Sequence, residues 1–384
     1  MSSFTPDHTQ ELLLRLLAFP WASSRPAAAP LAEPEASAVA RLALAHGLGP
    51  LLYGRLRGQD ILPPATMAEL RRAYYDNAGR SARLWHALET ALRALAQAGI
   101  PTLLLKGAAL VQTVYENPAL RPMGDLDLLV RPADAGRALA ALAGLGYRPQ
   151  QHEPAPGSTR TYENEIMLGR EGAPAPLELH WGLFDSPHYQ SQLPMEWFWQ
   201  TARPVHIGDT GAQALGPEAQ ILHLCGHLLL HHGGDARLLW LHDIAEVVAR
   251  YRGEINWSML LERARACDLL MPLQKVLPRV ACDWQAPIPA ATLEHLAALR
   301  PSRAEERIEA RLSSGPRPAG RRLLDDLADT TSWRRRLHMA LVNIVPTATY
   351  MQQRYNIRHR LLVPFFYPYR WFLGLRGLVF PRRA

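Results

Sequence analysis

The stretch Gly124-Asp125-Leu126-Asp127-Leu128-Leu129-Val130 alternates and then runs apolar, the pattern of a buried strand. Successive side chains of a strand point to opposite faces, so Asp125 and Asp127 share one face while Leu126 and Leu128 point into packing. Two carboxylates on one face repel, and keeping both charged is costly unless a cation sits between them. Oxygen donors in this arrangement suit Mg²⁺, which takes one or two carboxylates together with waters and substrate phosphates.

The same alternation in Leu177-Glu178-Leu179-His180-Trp181 places Glu178 and His180 on one face of a second strand. Three acids on neighbouring strands are enough to hold two Mg²⁺ about 3.5–4 Å apart, the arrangement that stabilises attacking and leaving oxygens in phosphoryl transfer. Glu178 completes the ion that activates the attacking hydroxyl, as ligand or as base. Upstream, Ile100-Pro-Thr-Leu-Leu-Leu105 reads as a strand and Lys106-Gly107 through Tyr115 as a helix. A small residue where strand becomes helix lets the backbone approach a phosphate, the helix N-terminus favours an anion, and Lys106 adds a compact positive charge. Arg121 and Arg131 flank the acidic strand, and Arg121 is the better placed to neutralise a triphosphate because it stands immediately before the acids.

Around these segments the chain divides by pattern. Residues 8–19, 36–57 and Pro64–Gln97 have helical spacing, with the Pro/Ala-rich Pro20–Pro34 reading as a loop. Strands at 100–105, Gly124–Val130, Thr159–Leu168 and Leu177–Trp181 intermix with helices, including Pro132–Leu145. From Gly216 onward helices return at Glu218–His232, Ala236–Tyr251, Trp257–Cys267 and Leu270–Cys282, and Ser313–Gly320 reads as a flexible linker. The expected organisation is α+β with an α/β core: an N-terminal helical region 1–98, a mixed-sheet catalytic core 99–215, a helical acceptor-binding domain 216–312, and a linker with a basic aromatic tail 313–384.

Composition narrows the classes. At 48% hydrophobic and 20% charged residues the 384-residue chain is globular rather than disordered. Three scattered cysteines without a CxxC pair disfavour a disulfide framework or a cysteine zinc site. No signal peptide or membrane-spanning run is apparent, so a soluble cytoplasmic protein is expected. The net charge of +7 is unevenly distributed, since residues 330–384 hold ten arginines and no Asp or Glu, which leaves −3 on residues 1–329. Only Lys106 and Lys275 are lysines among the 42 basic residues, which makes a lysine beside the acidic strand informative.

Leu105-Lys106-Gly107-Ala-Ala-Leu, Tyr115, Arg121-Pro-Met-Gly-Asp125-Leu-Asp127 and Glu178-Leu-His180-Trp together resemble the uncharacterised nucleotidyltransferase family of the DNA polymerase β-like superfamily. The resemblance is good over about 99–182 and looser over the helices, where His227, His231, Arg237-Leu-Leu-Trp and Asp243-Ile-Ala are similar to what such proteins carry after the core. It implies an Mg²⁺-dependent enzyme that moves a nucleoside monophosphate from an NTP to a hydroxyl or phosphate and releases pyrophosphate. Asp125, Asp127 and Glu178 would be the metal ligands, and Gly107 would lie in the phosphate-binding turn. Gly107-Ala108 stands where the superfamily usually has Gly-Ser, and Lys106 takes the place of the missing serine, as in the similar Lys-Gly-Gly turn of abortive-infection-type toxins. A toxin-like enzyme acting on tRNA is therefore one alternative, and a degenerate nucleotide-sensing module that binds RNA or membrane through its basic tail another.

His223, His227 and His231 fall at i, i+4 and i+8 of one helix. That spacing suits zinc, but with no carboxylate in an HExxH position the face reads as a polar wall of a cleft. His180, His227, His231 and Asp243 are accordingly expected to line an acceptor pocket, with Arg237 holding an anionic acceptor. The acceptor itself, whether small molecule, sugar, peptide or RNA, is left open. The tail interleaves its arginines with aromatics, a composition that fits single-stranded nucleic acid, an anionic membrane interface, or packing onto the acidic body.

Overall fold

The structure is a computed structural model that describes residues 7–17, 29–115, 117–232, 237–313, 319–330 and 332–379. Helices α1 (His8–Leu16), α2 (Glu33–Ala45), α3 (Gly49–Leu56) and the long α4 (Pro64–Gln97) precede β1 (Leu103–Leu104), α5 (Lys106–Thr113) and β2 (Leu126–Leu129). Then follow α6 (Ala135–Gly144), β3 (Arg148–Pro149), α7 (Ser158–Tyr162), β4 (Glu165–Gly169) and β5 (Leu177–His180). Two short helices, α8 (Pro187–Gln192) and α9 (Met195–Gln200), lead into the hairpin β6 (Arg203–Ile207) and β7 (Thr210–Ala214). A helical array completes the body: α10 (Pro217–His232), α11 (Leu238–Arg250), α12 (Trp257–Ala266), α13 (Leu270–Asp283), α14 (Ala290–Ala298) and α15 (Arg303–Ser313). Last come α16 (Ala319–Asp329), α17 (Trp333–Ile344), α18 (Ala348–Tyr355) and α19 (Val363–Val379).

The seven strands form one mixed sheet in the order β3-β4-β5-β2-β1-β7-β6, which makes the protein α+β as expected. β2 pairs antiparallel with β1 and parallel with β5, so it runs through the middle of the sheet and every residue of it is buried. One apolar core lies under the sheet and is closed by the C-terminal half of α4 and by α6. A second joins Leu13, Val39 and Leu52 of the first three helices to Leu222, Leu241 and Leu273 of α10, α11 and α13. The N-terminal helices and the helical array, read from sequence as separate regions, thus share one core, with α4 spanning both clusters through Leu70 and Leu88.

Several boundaries differ from the pattern reading for identifiable reasons. The helical run 36–57 is two helices, because Gly47 at φ +76 turns the chain between α2 and α3. Thr159–Leu168 begins as helix: Thr161 Oγ1 donates to the Gly157 carbonyl at 2.9 Å, closing a helical turn, and the strand starts only at Glu165. The strand at Gly124–Val130 contracts to β2, leaving Asp125 just outside it. The hairpin β6–β7 has too weak an apolar alternation, with Pro204 in one strand and Gly211 in the other, to be read in advance. Most of the Pro20–Pro34 loop and of the Ser313–Gly320 linker lies outside the described residues, as does Ala236.

Candidate active site

Parallel pairing of β2 with β5 sets Asp127 directly beside Glu178, in a register that also matches Leu126 with Leu177 and Leu128 with Leu179. His180, two residues along β5, shares the face of Glu178 and pairs in turn with Glu165 on β4. Four side chains from three adjacent strands therefore converge. A fifth, Lys106, arrives from the turn between β1 and α5, where it is held at φ +44, a conformation a non-glycine residue rarely adopts. The turn is tied to β2 by a hydrogen bond from the Leu105 amide to the Asp127 carbonyl at 3.1 Å.

Lys106 Nζ stands 2.7 Å from Asp127 Oδ1 and donates to Glu178 Oε2 at 3.4 Å. His180 Nε2 lies 3.0 Å from Asp127 Oδ1, and His180 Nδ1 lies 2.9 Å from Glu165 Oε2. Asp127 is 0% exposed. Burial alone would raise its pKa, but Lys106 and His180 outweigh it and hold the carboxyl well below the usual range. The converse applies to His180, whose burial favours the neutral ring while Asp127, Glu165 and Glu178 push it up to about 10, so it is an imidazolium at neutral pH. Asp125, half-buried just before β2, is raised to about 6 by burial and by the charges of Asp127 and Glu178.

A divalent cation fits these residues. One ligand atom from each of Asp127, Glu178 and His180 lies within 4.8 Å of the others, and buried Asp127 Oδ2 has no hydrogen-bond partner among the described residues. Both His180 nitrogens face carboxylates, so within this group the oxygens of Asp127 and Glu178 are the donors suited to a hard ion, while Asp125, expected as a third ligand, lies outside the group and stands just before β2. Lys106 occupies the cationic position beside Asp127 and Glu178.

A second buried cluster adjoins the first. Arg121 grips Asp243 through Nη2–Oδ2 at 2.8 Å and Nε–Oδ1 at 3.3 Å, while Tyr115 Oη donates to Asp243 Oδ1 at 2.7 Å. Tyr115 also meets His242 Nδ1 at 3.1 Å. A Cβ at position 107 would lie 2.3 Å from Arg121 Nη1 and 3.0 Å from Met123 Cγ, so Gly107 is small because the guanidinium packs over it. On α10, His223, His227 and His231 form a ladder of rings, with the last two stacked at 4.8 Å. Burial and the Lys106 charge hold His223 down to about 3 and lower His227 too, so the ladder passes close to the acidic cluster as a neutral face.

A family model described as an uncharacterised nucleotidyltransferase matches residues 32–282. The chain belongs to that nucleotidyltransferase family. The match begins just before α2 and ends in α13, so it takes in most of the shared helical core as well as the sheet and leaves α1 and α14–α19 outside. Among solved structures, an antigenic nucleotidyltransferase-like protein from Paracoccidioides brasiliensis is similar over 56% of this chain and 97% of that one, at 15% identity and a TM-score of 0.34. No curated protein matches the sequence.

In this nucleotidyltransferase the residues picked from sequence divide into two groups. Asp125, Asp127, Glu178, His180 and Lys106 converge, while Arg121 and Asp243, read separately as phosphate- and acceptor-contacting, bind each other. Arg131 turns outward to Glu196 at 2.7 Å, and Arg237 is exposed at the start of α11 with its guanidinium 5.8 Å from the Trp240 ring. His231 is exposed at the end of α10, and His227 is half-buried. Sequence reasoning missed Glu165 and the clamp function of Tyr115. The signal for Glu165 is the same one that found the aspartates, alternation: Ile166 and Leu168 are the apolar, buried positions of the strand, and Glu165 lies on its other face.

Proposed function

We propose that this nucleotidyltransferase moves a nucleoside monophosphate from an NTP to a hydroxyl or phosphate of its acceptor and releases pyrophosphate, using Mg²⁺ held by Asp125, Asp127 and Glu178. The observation that carries this reading is the register of β2 on β5, which sets two largely buried carboxylates side by side with a lysine ion-paired to both. Bound there, the metal would supply Lewis-acid stabilisation of charge on the phosphate oxygens.

The acceptor oxygen forms a bond to the α-phosphorus, the bond from that phosphorus to the bridging oxygen of pyrophosphate breaks, and a hydroxyl proton passes to a carboxylate of the cluster. Lys106, with its Nζ already at the acids, moves from them to the incoming phosphates. The turn before α5 presents backbone N–H groups to the same phosphates. His180 stays protonated between Asp127 and Glu165 and orients Asp127. The neutral histidine face of α10 and exposed Arg237 form the wall on which the acceptor rests.

The test is transfer of label from α-³²P-NTPs, in the presence of Mg²⁺, to components of the native lysate. Label that appears with the wild-type protein and disappears with Asp127→Asn supports the reading. A folded wild-type protein that labels nothing and binds NTP no better than the variant refutes it.

A further inference from the structure

We propose that helices α17 to α19 form a docking surface for an anionic phospholipid membrane, on which the enzyme lies without crossing the bilayer. Of the large apolar side chains that are exposed among the described residues, thirteen of fifteen fall between Trp333 and Leu375. This segment also lies outside the family match. Trp371 Nε1 donates to the Ile344 carbonyl at 2.7 Å, which brings α19 against the end of α17, and surfaces of monomeric proteins seldom gather so many large apolar side chains in water unless they meet something.

The pattern within the helices shows what it meets. On α17 the exposed residues Trp333, Leu337, Leu341 and Ile344 follow each other at intervals of four, four and three, a single stripe along one face. The opposite face is anchored by buried Met339 and Val342, so α17 is apolar toward solvent as well as toward the protein. On α19, Phe365, Tyr369 and Phe372 repeat the spacing, and Leu361, just ahead of the helix, is 87% exposed. A small core of Met351, Ile357 and Val363 holds α18 and α19 together and leaves these side chains outside it. The tail therefore does not bury its aromatics against the body, although α17 is fastened there by Arg335, which donates to the Thr161 carbonyl at 3.3 Å.

Charge selects among the occupants. The segment 330–384 carries ten arginines and no acid, and residues 1–329 carry a net −3, so an anionic surface attracts this end of the molecule and repels the rest. A second copy presenting the same face would set arginine against arginine. Single-stranded RNA would use the aromatics and the arginines, but it offers nothing to the aliphatic Leu337, Leu341 and Ile344. An anionic lipid interface accommodates aliphatic, aromatic and arginine side chains together. No helix of the described residues is long and apolar enough to cross a membrane, so the helices lie in the interface plane.

The full-length protein is floated with phosphatidylcholine vesicles and with vesicles containing about a quarter phosphatidylglycerol. The expected result is partition onto the anionic vesicles at least about tenfold stronger than onto the neutral ones, with a blue shift of tryptophan emission from Trp333 and Trp371. The combined variant Leu337→Glu, Leu341→Glu, Phe365→Glu and Phe372→Glu changes only exposed positions and should keep its melting temperature while losing that partition. The single Leu341→Glu change is the fallback if the combination does not fold, and it should weaken partition measurably. Absence of partition onto either vesicle, or equal partition by the folded variants, overturns the proposal. So does binding of poly(U), or self-association abolished by the same substitutions, without any vesicle binding.

Discussion

Lys106 Nζ rests 2.7 Å from Asp127 Oδ1 and 3.4 Å from Glu178 Oε2, so a side chain supplies the positive charge that two adjacent buried carboxylates require. On the proposed reading, the lysine and a divalent ion compete for one position. Replacing Lys106 by Met leaves Asp127 with His180 alone. The loss should be about 3 kcal/mol in metal-free denaturant titrations, at the low end for breaking a buried pair because one partner remains. Millimolar Mg²⁺ should then restore more stability to the variant than it adds to the wild type, since only the folded state assembles the site. A variant that Mg²⁺ does not rescue would show that the cluster is not a cation site.

Glu165 Oε2 lies 2.9 Å from His180 Nδ1, so on the proposed mechanism it acts through that ring, which gives it a distinct signature. Its carboxylate is held down to about 2, where burial opposes and His180 and Lys106 favour the charged form. Glu165→Gln should reduce transfer about 10–100-fold, the range for removing a partner that orients a ligand-bearing residue. It should also lower the pKa of His180 from about 10. The wild-type imidazolium persists through neutrality and is lost as pH rises past its folded pKa, so the variant's activity should decline at a lower pH than the wild type's. Unchanged pH profiles with reduced activity would assign Glu165 a purely structural role.

The clamp of Arg121, Asp243 and Tyr115 joins the loop before β2 to α11 with both charges buried. Asp243→Asn should cost about 3–5 kcal/mol because it strands a buried guanidinium, whereas Tyr115→Phe should cost about 1–2 kcal/mol. Gly107→Ala reaches the same cluster from the other side. The new Cβ would meet Arg121 Nη1 at 2.3 Å, and the guanidinium cannot retreat while Asp243 holds it. Loss of stability and of transfer together is the expected outcome. A stable, active Gly107→Ala enzyme would show that Arg121 is free to move.

Alternation along single strands made the Asp127, Glu178 and His180 faces legible in the sequence, because a period of two needs no tertiary knowledge. The strand–glycine–helix punctuation likewise located Lys106, and the long helix expected over about Pro64–Gln97 was readable along its length. Pairings across the fold were not legible. Arg121 and Asp243 are 122 residues apart, and nothing in either neighbourhood announces the other. Nor does periodicity show that α1–α3 and α10–α14 share a core, since an amphipathic stripe specifies that a face is buried and not against what.

Asp326 on α16 tests the electrostatics of the surface that carries the tail. Its neighbours Asp325 and Asp329 are engaged by Arg311 at 3.5 and 2.6 Å, whereas Asp326 faces Asp185 across the junction with α8. Burial, followed by the charges of Asp185, Asp329 and Asp325, raises its pKa from 3.8 to about 6. The folded protein therefore keeps this proton to a higher pH than the unfolded chain does. The stability that this group contributes should fall as pH rises from about 4 through 6, because the native state binds more protons across that window. Asp326→Asn removes this residue's share of the dependence and leaves that of the other raised carboxyls, Asp125 at about 6 and Glu163 at about 8. It should stabilise the protein by about 1–2 kcal/mol at pH 7–8 and give no gain at pH 4, as read from denaturant midpoints at the two pH values. A gain of equal size at both would mean that packing, and not charge, limits the native side chain.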